Sequence, residues 1–128
     1  MTALNLEKTA LVVIDLQKGI VGRGGFAPYS AEQVLEHNEQ LVAALKNTAA
    51  LIVFVHVKNY GPEALRAVTD APVAAAGNLP ADYSEFVLEA AYDKKMDNVI
   101  HVAKHNWGHF TGRIWRCSCA DGELTPSF

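Results

Sequence analysis

Two opposite charges stand where they could do acid–base chemistry. Asp15 closes the apolar run Leu11-Val12-Val13-Ile14, and Lys104 closes Asn98-Val-Ile-His-Val-Ala. A carboxylate can take a proton from a nucleophile, and a neighbouring ammonium can orient that carboxylate and stabilise negative charge developing on a substrate. Each residue also has a plainer use, Asp15 as the cap of a turn and the pair as an ion pair at a sheet rim. His56, at the end of Ala50-Leu-Ile-Val-Phe-Val-His-Val, is either a ligand contact or a histidine hydrogen-bonded at the same rim. His101, His105 and His109 fall four apart, the spacing of a metal-binding helix face, but the first lies in an apolar run and the others in a Gly- and Trp-containing stretch. No zinc site is expected from them. Cys117 and Cys119 form half of a metal motif without its partner pair and read as incidental thiols.

The elements that would position Asp15 and Lys104 are legible from pattern. The three apolar runs are short and rich in β-branched residues, the signature of strands buried on both faces in a parallel sheet. In such a sheet, residues at the carboxyl ends of strands open into one ligand crevice, so Asp15 and Lys104 should share it. Between the first two runs lies the glycine-rich stretch Lys18 to Tyr29. It lacks the Gly-x-x-x-x-Gly-Lys-Ser/Thr phosphate pattern, and Gly22-x-Gly24 is not followed by a helix at the offset a dinucleotide fingerprint needs. Ser30 with Gln33 makes a capping box. Val34, Leu35, Leu41, Val42 and Leu45 then recur at helical spacing, predicting an amphipathic helix to about Asn47 that covers the sheet. Strand, helix and strand make a βαβ unit. Asn59 to Pro80 is a long excursion with turn punctuation at Gly61-Pro62, Asp70-Ala-Pro72 and Gly77-Asn78, and one helical turn near Glu63 to Val68. Such excursions often serve as lids or subunit contacts. Ser84 to Tyr92 reads as a short helix.

Composition narrows the classes. The 128 residues are half hydrophobic and one fifth charged, with a net charge of −3. One soluble domain with a real core is expected, without the basic excess of a nucleic-acid binder. The amino terminus lacks a signal-peptide pattern, no apolar run is long enough to span a membrane, and two cysteines two positions apart make no disulfide framework. A cytoplasmic protein that touches neither membrane nor nucleic acid and takes no cofactor is the expectation.

Three elements in order carry a resemblance: Asp15-Leu16-Gln17 at the end of the first strand, Phe26 in the loop after it, and Lys104 followed by Phe110-Thr111-Gly112. Together they resemble the isochorismatase-like, or cysteine hydrolase, superfamily over nearly the whole chain. The resemblance implies a three-layer, doubly wound parallel sheet (Rossmann-like α/β), of which residues 1–112 would be the amino-terminal part. It implies Asp15 as general base and Lys104 as a positioning and polarising residue in hydrolysis of a small-molecule amide, ester or vinyl ether. Gln17, Phe26 and Trp107 would contact the substrate, although Phe26 and Trp107 are equally plausible as packing residues.

From Arg113 the chain departs from that pattern, and residues 113–128 read as a non-family tail. Neither cysteine sits in the strand-to-helix turn where the family carries its nucleophile. Suitable codons for the tail, read one frame over, spell an amphipathic helix and a strand start, so a frameshifted carboxyl half is the expectation here. Loss of later strands would leave the first strand as an apolar sheet edge, from which low stability alone and homo-oligomerisation are expected. A non-catalytic interaction or oligomerisation module is the alternative reading.

Overall fold

The structure is a computed structural model, and it describes residues 3–58 and 79–104. The 113–128 tail, residues 59–78 of the Asn59–Pro80 excursion, Trp107, His105, His109, both cysteines and Phe110 to Gly112 lie outside the described residues.

A three-stranded parallel sheet of β1 (Ala10–Ile14), β2 (Leu51–Val57) and β3 (Val99–Lys104) is ordered β1-β2-β3. Each strand grows from one of the apolar runs. Val13, Phe54 and His101 stand side by side across the sheet, as do Ile14, Val55 and Val102. The strand–helix–strand unit is the expected one, with α2 (Ala31–Leu45) between β1 and β2. Ser30 caps α2, its Oγ accepting from the Gln33 amide while the Gln33 side chain accepts from the Ser30 amide. This reciprocal pairing satisfies two groups that a helix start otherwise leaves bare. The helix ends two residues earlier than its apolar spacing suggests. Asn47 adopts φ 54° and donates its amide to the Asn98 side chain, which turns the chain into β2.

Both faces of β2 are buried, as a parallel strand requires. On one face Val13, Ile52 and Phe54 pack with Val42 of α2 and with Phe86, Leu88, Ala91 and Met96. On the other Val53, Val55 and Val102 form a second cluster with Ile14 and Ile100. Among the described residues β1 is an outer strand, and its Val12 is 37% exposed.

The region expected as one helix over 84–92 is instead an extended brace followed by a short 3-10 turn, Glu89–Tyr92. Residues 83–87 run antiparallel to the chain leaving β1: the Lys18 amide donates to Glu85 O, Gly19 to Tyr83 O and Val87 to Leu16 O. Hydrogen bonds to a distant segment outweigh local helical propensity here, because they satisfy backbone groups on both segments at once. The stretch read as loop after Gln17 also holds one helical turn, α1 (Lys18–Val21), and turns back through Gly24 and Gly25 at φ 65° and 72°.

Candidate functional site

Asp15 and Lys104 meet at the carboxyl end of the sheet. Nζ of Lys104 lies 3.0 Å from Oδ1 of Asp15 and donates to Oδ2 at 3.1 Å. The two are unequal in exposure. The lysine side chain is 6% exposed and the aspartate 35%, so the carboxylate faces outward with the ammonium behind it. Oδ1 is itself buried, and its polar contact among the described residues is the ion pair with the Lys104 ammonium.

Strand alternation alone would keep this pair apart. Side chains two residues apart share a face, so Lys104 belongs with Val102, while Asp15 belongs with Val13 on the α2 side. Asp15 has φ 64°, the left-handed region, which breaks the alternation just after its amide has donated to Val55 O. The kink brings the carboxylate to the lysine. A non-glycine residue held there costs of order 1 kcal/mol, and aspartate is among the residues that tolerate it best.

Gln17 anchors the turn from below. It is fully buried, donates through Nε2 to Val57 O (3.2 Å) and Tyr83 O (3.0 Å), and accepts from the Val57 amide at 2.6 Å. Both of its N–H groups are thus bound to the backbone. The structure gives this predicted substrate contact the task of tying the end of β1 to the end of β2 and to the 83–87 brace.

Phe26 is placed differently. It is 44% exposed and walls a cleft of about 300 Å³ on which Asp15 also opens. The rest of the wall comes from residues with no chemical signature in the sequence, among them Ile20, Val21 and Val34. Their only signal was apolar spacing around the glycine-rich stretch.

His56 is hydrogen-bonded at the rim. Its Nδ1 donates to the Ser84 carbonyl at 2.6 Å, and its ring stacks on Phe86 with centroids 4.5 Å apart. Burial lowers its pKa, opposed by the Ser84 hydrogen bond and aided by the charges of Lys58 and His101. His101 stacks against Phe86 as well, at 5.4 Å, and its Nε2 donates to Ala91 O. Two histidines from adjacent strands therefore hold one phenylalanine and the segment carrying it. No group of His, Cys, Asp or Glu side chains suited to a metal ion occurs among the described residues. No described helix is long and apolar enough to cross a membrane.

Comparison with known proteins agrees with this architecture. The isochorismatase domain family matches residues 9–114. The isochorismatase family protein YwoC of Bacillus subtilis (strain 168) is 39% identical over 116 residues, which cover 88% of this chain and 57% of the relative. YecD of Escherichia coli O157:H7, of the same family, is 35% identical over 115 residues, 88% of this chain and 58% of the relative. The chain thus spans a little over half the length of these relatives. An isochorismatase family protein structure from Burkholderia thailandensis superposes with a TM-score of 0.71 at 33% identity, covering 96% of this chain and 63% of that one. With a family match over most of its length and the same parallel α/β sheet, the chain belongs to the isochorismatase family.

Proposed function

We propose that this chain carries the acid–base half of a hydrolase site for a small-molecule amide, ester or vinyl ether, with Asp15 as general base and Lys104 as its positioning and polarising partner. The observation that carries the reading is the outward-facing carboxylate held 3.0 Å from a buried ammonium and opening on an apolar cleft. With an amide or ester, Asp15 takes a proton from the attacking water or thiol, which adds to the carbonyl carbon, and the proton then passes to the departing nitrogen or oxygen as the bond to it breaks. With a vinyl ether the proton is delivered to the vinyl carbon instead, water adds to the carbon bearing the ether oxygen, and the hemiacetal so formed collapses to an alcohol and a carbonyl compound. Lys104 keeps the carboxylate in the geometry for that transfer, and its charge opposes the negative charge gathering on the substrate oxygen. Phe26 borders the space a substrate would fill. Family membership supports a hydrolase-type function in general terms.

The test is turnover of a panel of small amides, esters and vinyl ethers by the purified chain and by Asp15→Asn. Asparagine keeps the size and the tolerance of positive φ but cannot accept the proton. Loss of about a hundredfold or more in kcat, the usual worth of a positioned base, with the fold unchanged, is expected. Turnover that survives in Asp15→Asn would remove the general-base assignment.

A further inference from the structure

His56 stands apart from the acid–base pair, yet the bonds that fix Asp15 converge on it. On β2 its neighbour Val55 accepts from the Asp15 amide at 2.9 Å. Its other neighbour, Val57, donates its amide to Oε1 of Gln17 and accepts from Nε2 of the same side chain. Residues 15–19 then lie between the end of β2 and the 83–87 brace, which holds them through Leu16, Lys18 and Gly19.

The His56 side chain joins those two supports. Nδ1 donates to the Ser84 carbonyl at 2.6 Å, and the ring lies on Phe86 with centroids 4.5 Å apart and planes 14° from parallel. Ser84 Oγ donates back to Val57 O at 2.8 Å, which closes the circuit between brace and strand. Phe86 is 7% exposed and meets Phe54 edge-on at 5.6 Å, so the brace is seated in the core at this point. An imidazole suits the place because it offers a flat face to the phenyl ring and an N–H in its own plane to the carbonyl. The turn it supports needs a lock. Asp15 has φ 64°, a sparsely populated conformation that persists only where its surroundings over-determine it.

We propose that His56 is a positioning residue for Asp15: by bolting the 83–87 brace to β2, it holds the left-handed turn that presents the carboxylate to Lys104. The proposal rests on the proposed function for what that carboxylate does, while the geometry of the turn is measured without substrate.

The experiment compares wild type with His56→Leu, which keeps bulk and loses the N–H, and with His56→Asn, whose side-chain amide carries an N–H at the branch position of Nδ1. Native-state amide exchange and the HN–Hα coupling constant of Asp15 are read by NMR, and turnover on the same panel of small amides, esters and vinyl ethers. In His56→Leu the Lys18, Gly19 and Val87 amides are expected to exchange about tenfold faster, the scale of one lost hydrogen bond. The Ile52 amide of β2 belongs to the core and should change by less than about twofold. The Asp15 coupling constant should move from its wild-type value, and kcat should fall about tenfold at unchanged KM, as for a misplaced catalytic group. His56→Asn should return each readout at least halfway. Equal acceleration at Ile52 makes the role of His56 merely structural and overturns the proposal. So do unchanged exchange at the three amides, an open brace with an unmoved Asp15 coupling constant, a loss carried by KM alone, or no recovery in His56→Asn. If His56→Leu does not fold, wild type decides in a urea series: the Nδ1 proton and the three amides should lose protection in parallel, and independent loss overturns the proposal. Absence of turnover in wild type, with the exchange and coupling results as expected, counts against the hydrolase reading and leaves the lock on Asp15 standing. Turnover lost in Asp15→Asn but unaltered in His56→Leu does the reverse.

Discussion

Removing either partner of the Asp15–Lys104 pair should cost very different amounts. At 3.0 Å and an effective dielectric of about 20, the gross attraction is about 5 kcal/mol, much of it offset by the desolvation of the lysine. What remains after truncation depends on which charge stays behind. Asp15→Asn takes the carboxylate away from an ammonium that is 6% exposed, where water cannot replace it. The expected cost is about 3 kcal/mol, the low end for breaking a buried pair. Lys104→Met leaves a carboxylate that is already 35% exposed and can rehydrate, so about 1 kcal/mol is expected. The double variant, with no buried charge, should lie within about 1 kcal/mol of wild type, giving a coupling of about 3 kcal/mol. Asparagine is chosen because it tolerates the positive φ of 64°. Asp15→Ala should cost roughly 1 kcal/mol more for that backbone reason alone. Urea unfolding midpoints of the four chains, at constant slope, give all these values. Equal costs for the two single variants, or simple additivity, would refute the picture of a buried ammonium behind a half-open carboxylate.

Other residues make separate predictions. A Cβ on Gly19 would run into the ring of Tyr83, so Gly19→Ala should lower stability by roughly 2 kcal/mol through overpacking, and in a Tyr83→Ala background the same substitution should cost less in urea unfolding. Gln17→Leu leaves the Val57 amide without its side-chain acceptor, while the Tyr83 carbonyl keeps the Gly19 amide, which should cost about 2 kcal/mol at 1–3 kcal/mol per buried group. A loss below about 0.5 kcal/mol would contradict the anchoring role, since changes of that size are ordinary for featureless surface sites. Ser30→Ala removes the cap of α2 and should cost about 1 kcal/mol, seen as a lower Tm. Burial depresses the pKa of His56 below its ordinary 6.5. The unfolded chain therefore takes up the proton first as pH falls, so this stabilisation is full above pH 6.5 and is lost below it as the folded-state pKa is passed. His56→Gln should flatten the stability–pH curve in that window, and an unchanged slope would exclude the histidine as its source.

The amino-acid sequence alone specified the three strands, because runs of β-branched residues bounded by charge and glycine have few other uses. It also specified the start of α2, since a capping box is a local arrangement complete within four residues. The placing of a carboxylate and an ammonium at strand ends was legible for the same reason. Alternation, however, tells only which residues share a face. Parallel strand ends imply one crevice for Asp15 and Lys104, and the two do meet there; how the carboxylate reaches the ammonium is decided by the left-handed turn at Asp15, which no periodic pattern marks. The Asp-x-Gln resemblance makes Gln17 a substrate contact. Its actual partners, Val57 and Tyr83, lie 40 and 66 residues away. The brace over 83–87 and the stacking of His56 and His101 on Phe86 are of the same kind. Backbone kinks and hydrogen bonds between distant segments leave little periodic mark, because their energy is realised only when the folded chain brings both partners together.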